Sequence, residues 1–80
     1  MSAAEAQEVK NLLLQSNDQY RRLSERHHQL DDRLNQLIHL PYLTASEQVE
    51  EVTLKKRKLA LKDQMEQMAL EYAKTHLRAS

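Results

Sequence analysis

Helix breakers are nearly absent from this sequence of 80 residues, which contains no glycine and a single proline, Pro41, at its midpoint. Glycine and proline are the two residues that most disfavour a helix interior, so the composition permits long helices on both sides of Pro41. Cysteine is absent as well. Its absence excludes disulfides, thiolate chemistry and cysteine-ligated zinc.

Large aromatic side chains are scarce: the sequence has no phenylalanine, no tryptophan and three tyrosines, while 30% of its residues are charged. A chain of this length is expected to form a single domain, over residues 1–80, that buries a modest fraction of its surface. Such small domains often complete their core with a partner or a second copy. The composition therefore predicts association with a second copy of the chain or with another protein.

Neither sign of charge is in excess, because twelve basic and twelve acidic residues give a net charge of zero. Nucleic-acid and membrane binders rely on surplus positive charge, so binding by the whole domain to either is not expected. The start Met-Ser-Ala-Ala-Glu lacks the pattern of a signal peptide, and no apolar run approaches the roughly 20 residues that span a bilayer. We therefore expect a cytoplasmic protein without a membrane partner.

Apolar residues recur at spacings of three and four on both sides of Pro41, which predicts two helices. Helix one is predicted over about residues 4–39, with Val9 and Leu12 on one face. Residues 16–18, Ser-Asn-Asp, have side chains that compete for backbone hydrogen bonds. A kink there and an uninterrupted helix both remain open.

The connection between the helices is predicted at about residues 40–44, because the residue before a proline is pushed out of the helical region. Helix two is predicted over about residues 45–77. Thr44 and Glu47 have the spacing of a capping box at its start. So short a connection is typical of antiparallel helices.

The predicted fold is therefore all-α: an antiparallel two-helix hairpin with a coiled-coil-like seam. The seam residues repeat at alternating spacings of three and four, as a and d positions do. We assign to this hairpin seam Tyr20, Leu23, His27, Leu30, Leu34, Leu37, Leu54, Lys58, Leu61, Met65, Met68 and Tyr72.

A second apolar stripe runs along the far side of helix two and comprises Val52, Leu59, Leu70 and Leu77. One hairpin covers only one side of this helix. The stripe therefore predicts an oligomer face through which hairpins assemble into a helical bundle, as a dimer or a higher homo-oligomer.

Two segments carry a resemblance to a known family. The first is His27-His28-Gln29-Leu30-Asp31, and the second is the LKxxKLxLKD pattern that begins at Leu54 and ends at Asp63. Over roughly residues 17–72 the chain resembles the YdcH-like family, small bacterial proteins catalogued as a domain of unknown function. The resemblance implies a helical hairpin or coiled coil with no enzymatic activity. The chain departs from the pattern at Ala4 to Gln15, which looks like additional helix.

Three polar side chains are predicted to meet in the otherwise apolar seam. Folding the chain about residue 42 brings His27 near Lys58, and Asp31 lies one helical turn after His27. One interpretation is a small site for an anion or for proton transfer. The other is a polar register layer that only the correct helix pairing satisfies. If His27 is buried and neutral beside Lys58, its pKa is expected to be depressed.

The strongest charge feature is the basic run of helix two. Its candidate nucleic-acid contacts are Lys55, Lys56, Arg57 and Lys62. Against this function, no aromatic residues are interleaved for base stacking, and lysine stems beside a seam often cover apolar surface.

The four histidines do not predict a metal site. His27 and His28 point about 100° apart on a helix, and His27 with Asp31 supplies too few ligands. No catalytic triad and no glycine loop is present, and a hairpin offers grooves rather than a pocket for a small-molecule substrate. We therefore expect no enzyme activity, catalytic residue or cofactor. Two functions remain, a protein interaction module and an accessory nucleic-acid or ribonucleoprotein binder.

Overall fold

A computed structural model describes residues 2–76, which form three α-helices and, within that range, no strand. Helix α1 spans Ala3–Ser16, α2 spans Asp18–Ile38 and α3 spans Ala45–His76. The prediction of an all-α fold is confirmed. The helix predicted over about residues 4–39 is divided into α1 and α2.

The division falls at Asn17, inside the segment 16–18 where the sequence left a kink open. Asn17 has an extended backbone, with φ −124° and ψ 111°. Its side-chain Oδ1 accepts a hydrogen bond from the amide of Tyr20 at 2.9 Å, and its own amide donates to the carbonyl of Leu13 at 2.9 Å. Asparagine is among the preferred helix N-caps because it satisfies an amide without an intrahelical partner. One residue therefore ends α1 and begins α2.

Helix α1 packs against both α2 and α3. Val9 and Leu13 are buried in a cluster with Tyr20 and Ala69. Leu12, predicted to share a face with Val9, is 37% exposed. The i, i+4 pair Val9 and Leu13 faces inward instead. The partly buried side chains around this cluster are Met65, Met68, Tyr72 and Ala73.

Helices α2 and α3 lie side by side in opposite directions. Arg33 late in α2 pairs with Glu50 early in α3, whereas Tyr20 at the start of α2 packs near Met65 far along α3. Near the connection, a second cluster of buried side chains consists of Leu34, Leu37 and Leu54, with Leu30 and Leu43 against it. Burying one such leucine contributes about 1.5–3 kcal/mol, so this cluster holds the two helices together at the turn end.

The start of α3 has the capping box that the sequence predicts. The amide of Glu47 donates to Thr44 Oγ1 at 3.1 Å, and the amide of Thr44 donates to Glu47 Oε1 at 3.0 Å. Helix α2 ends at Ile38, with His39 as its C-cap. None of the helices in residues 2–76 is both long and apolar enough to cross a membrane.

Candidate functional site

The residues assigned to the hairpin seam all avoid full exposure. Five are buried, namely Tyr20, Leu23, Leu34, Leu37 and Leu54. Seven are half-buried, namely His27, Leu30, Lys58, Leu61, Met65, Met68 and Tyr72. The seam thus combines a core at each end with a less buried middle, where the polar side chains lie.

In that middle section lie the three polar residues predicted as a register layer, His27 and Asp31 on α2 and Lys58 on α3. Lys58 Nζ donates a hydrogen bond to Asp31 Oδ1 at 2.5 Å, and the two side chains are 35% and 41% exposed. His27 lies one turn before Asp31 on α2 and is half-buried. The spacing of the seam brings all three groups together because both helices present them on facing sides.

The protonation of this layer follows from its contacts. The pKa of His27 is lowered, first by burial and then by the positive charge of Lys58, while Asp31 opposes the shift. The hydrogen bond from Lys58 lowers the pKa of Asp31. At neutral pH the layer therefore holds a neutral imidazole beside an ion pair.

A second cross-helix ion pair was missed by the sequence analysis. Arg33 donates from Nε to Glu50 Oε2 at 2.8 Å and from Nη2 to Glu50 Oε1 at 2.9 Å. Both side chains are partly exposed, at 42% and 36%. This bidentate pair lowers the pKa of Glu50. Folding the sequence about residue 42 sets Arg33 opposite Glu51, which is next to Glu50. This near match was the one sign of the pair that the sequence offered.

Lys10 is another residue whose position the sequence did not reveal. It lines a groove of about 320 Å³ together with Tyr20, His27, Lys62 and Glu66, where all three helices meet. The remaining lining residues are Lys58 and Met65. Burial, followed by the charge of Glu66, raises the pKa of the Tyr20 hydroxyl. The groove is basic on balance but also contains a carboxylate.

The stripe predicted as an oligomer face is open to solvent. Val52 is 52% exposed, Leu59 is 59% exposed and Leu70 is 47% exposed. Leu77, the fourth member of the stripe, lies outside the described residues. Helix α1 covers Ala69 on the neighbouring side of α3 and leaves this stripe uncovered.

The basic run does not form one surface. Lys55 pairs with Glu51 at 3.4 Å, one turn earlier on the same helix. Arg57 lies in a groove with Arg26, whereas Lys62 lies in a different groove with Lys55 and Asp31. Lys56 is exposed. Successive residues of a helix point about 100° apart, so four basic residues in sequence cannot all face one ligand.

The remaining histidines have local contacts. His39 Nδ1 lies 2.6 Å from the carbonyl oxygen of Asn35, and the ring of His76 stacks on Tyr72 with centroids 3.9 Å apart. Within residues 2–76, no three side chains of histidine, cysteine, aspartate or glutamate are grouped closely enough to hold a metal ion.

Comparison with known proteins assigns the chain to a family. Neither a curated protein nor a solved structure matches the sequence significantly. A family model matches residues 21–69, which begin in the first turn of α2 and end in α3, so α1 lies outside the match. The YdcH-like proteins fall within this family, which confirms the resemblance. Since the match covers more than half of the chain, the protein belongs to the family described as "Protein of unknown function (DUF465)".

Proposed function

We propose that this chain is a non-enzymatic interaction module in which α2 and α3 form a helical hairpin that associates with a second copy. The observation that carries the proposal is the stripe of Val52, Leu59 and Leu70 on α3, each of them about half exposed or more. An apolar stripe at helical spacing is the usual surface through which helices pair. Covering it removes apolar area from water at about 25 cal/mol per Å².

The hairpin seam supports the proposal because its carboxylates, which a catalytic or ligand site would use, are already engaged in ion pairs between the helices. Asp31 is engaged by Lys58, and Glu50 is engaged by Arg33. These pairs join one helix to the other, which suits a register function better than proton transfer. The hairpin is therefore the scaffold, and its outer surface is the part that meets a partner.

Sedimentation equilibrium at micromolar protein concentrations tests the proposal. We expect a mass that rises above the 9.4 kDa of one chain as the concentration increases. The variant Leu59→Ser is compared with the wild type and is expected to associate less, because it removes an apolar side chain of the stripe. Since that side chain is exposed, no core cavity is opened. A wild-type chain that stays at the single-chain mass throughout would refute the proposal.

The alternative function is an accessory nucleic-acid or ribonucleoprotein binder that uses Lys55, Lys56, Arg57 and Lys62. The ion pairs of Lys55 with Glu51 and of Lys58 with Asp31 weaken this alternative, since both reduce the charge offered to phosphates. Fluorescence anisotropy with a labelled single-stranded RNA at low salt tests it. Binding through phosphates must weaken steeply as salt is added.

A further inference from the structure

The exposed stripe of α3 carries charges that are separated along its length. Within about 40° of the line from Val52 to Leu70, at about 100° per residue, Lys56 lies in the first half of the stripe, whereas Asp63 and Glu66 lie in the second half. All three charged side chains are exposed. Lys55 and Lys62 lie further round the helix, about 60° and 80° from that line. One end of the stripe is therefore basic and the other end acidic.

This polarity distinguishes between the two ways in which a pair of such helices can align. A parallel pair would set Lys56 against Lys56 and Asp63 against Asp63, so that like charges repel. An antiparallel pair sets the basic half of each copy against the acidic half of the other. Charges that flank an apolar seam are known to choose the orientation of helix pairs in this way.

We propose that the partner for this face is a second copy of the chain, with the two α3 helices antiparallel across a two-fold axis that passes the stripe at the level of residue 61, on the side of α3 opposite to the hairpin seam. Val52 then packs against the partner's Leu70, and Lys56 lies beside the partner's Glu66. By symmetry each contact occurs twice. The Leu59 side chains flank the axis, each beside the partner's Asp63. This inference rests on the proposed function and adds to it the orientation and register of the pair.

A competing register fits less well. Sliding the helices so that Leu59 meets the partner's Leu70 also sets Asp63 against the partner's Glu66, which brings two carboxylates together twice. The proposed register joins Val52 to Leu70 and Lys56 to Glu66, and although it leaves Leu59 beside Asp63, it sets no like charges against each other. Within a single chain Lys56 and Glu66 are about 15 Å apart along the helix, so they cannot satisfy one another.

Charge reversal in separate chains tests this arrangement. In Lys56→Glu homodimers, the substituted carboxylate faces the partner's Glu66, and in Glu66→Lys homodimers two ammonium groups meet. Each variant alone is expected to have a dimer dissociation constant at least about tenfold weaker than the wild type. In an equimolar mixture of the two variants, a heterodimer can form from one chain of each. In that heterodimer every substituted side chain lies beside a residue of opposite charge. We therefore expect heterodimers to predominate and to regain an affinity close to that of the wild type.

Native mass spectrometry with one variant ¹⁵N-labelled counts the three dimers, and sedimentation equilibrium gives their affinities. Glu71→Lys is the matched control: it reverses an exposed charge about 100° from the stripe and is expected to leave association unchanged. Circular dichroism verifies that each variant is folded. The arrangement alone is overturned if the wild type dimerises and the variants dimerise equally well. It is also overturned if the mixture shows no preference for heterodimers. A monomeric wild type overturns the proposed function with it.

Discussion

At the scale of single residues, His27 is the titratable side chain with the most consequence for the fold. It is half-buried between α2 and α3, and the charged or titratable groups that act on its pKa are Lys58, Asp31, His28 and Lys62. Burial and Lys58 together lower its pKa below the ordinary value of about 6.5, even though Asp31 acts in the other direction. The folded chain therefore prefers the neutral imidazole.

This preference predicts that stability falls in mild acid. Because the folded pKa lies below the unfolded one, the unfolded chain binds the extra proton first. The stabilisation is complete above about pH 6.5 and is lost as the pH falls below that value towards the folded pKa. Thermal melts should give a lower melting temperature at pH 5.5 than at pH 7.5.

His27→Leu is the variant that isolates this effect, since it removes the titrating group and keeps an apolar side chain in the seam. Its melting temperature should differ less between the two pH values than that of the wild type. His28→Leu, at the exposed neighbouring position, serves as the control and should keep most of the wild-type difference, because burial and Lys58 are the larger causes of the lowered pKa of His27. Equal pH dependence in the wild type and His27→Leu would contradict the prediction.

Leu37 tests the core of the turn end at the same scale. It is 1% exposed and packs in the cluster with Leu34 and Leu54. Leu37→Ala leaves a cavity and should reduce the free energy of unfolding by about 2–5 kcal/mol. Leu40→Ala, at a position 41% exposed, should cost far less. Urea denaturation measures the free energy of unfolding of both variants. Equal losses of stability would show that Leu37 is not part of the core at the turn end.

At the scale of elements, the junction between α1 and α2 depends on one side chain. Asn17 caps α2 through its contact with the amide of Tyr20. Asn17→Ala removes that acceptor and should destabilise the chain by about 1 kcal/mol, whereas Asn17→Asp keeps an acceptor and should be nearly neutral. Denaturant melts compare the two substitutions. If both cost the same, the cap is not what stabilises this junction.

The elements also show which parts of the fold could be predicted from sequence. The seam repeats regularly from Tyr20 to Leu37, and the capping box at Thr44 depends on residues three apart, so local pattern was sufficient for both. The break at Asn17 remained open because residues 16–18 have weak propensities that suit a kink or a solvated helix. The pattern also did not decide which leucine of α1 faces inward, because the three consecutive leucines 12–14 point in different directions around the helix.

Side-chain pairs between elements were predictable only to within one helical position. Folding about residue 42 set His27 and Asp31 near Lys58, which pairs with Asp31 in the structure, but it set Arg33 against the neighbour of Glu50. The place of Lys10 in the groove was beyond reach, because it depends on the direction that α1 takes after the break. The position of α1 relative to the other two helices depends on the φ and ψ angles of Asn17, and residue preferences do not determine those angles.

At the scale of the whole molecule, three helices leave much apolar surface in water for so small a chain. Besides the stripe on α3, Ile38 is 63% exposed and Val49 is 68% exposed. The buried cores are short clusters at the two ends of the α2–α3 pair. A chain built in this way is expected to gain part of its stability from association.

Association of this kind predicts a melting temperature that depends on protein concentration. If the folded dimer dissociates as it unfolds, mass action shifts the equilibrium towards the folded state as the chain becomes more concentrated. For a chain of this length, each tenfold increase should raise the melting temperature by a few degrees. Leu59→Ser should lower it at high concentration and remove the dependence, whereas Leu40→Ser, exposed but off the stripe, should keep it. Wild-type melts that coincide over a hundredfold concentration range would show that the folded chain gains nothing from a second copy.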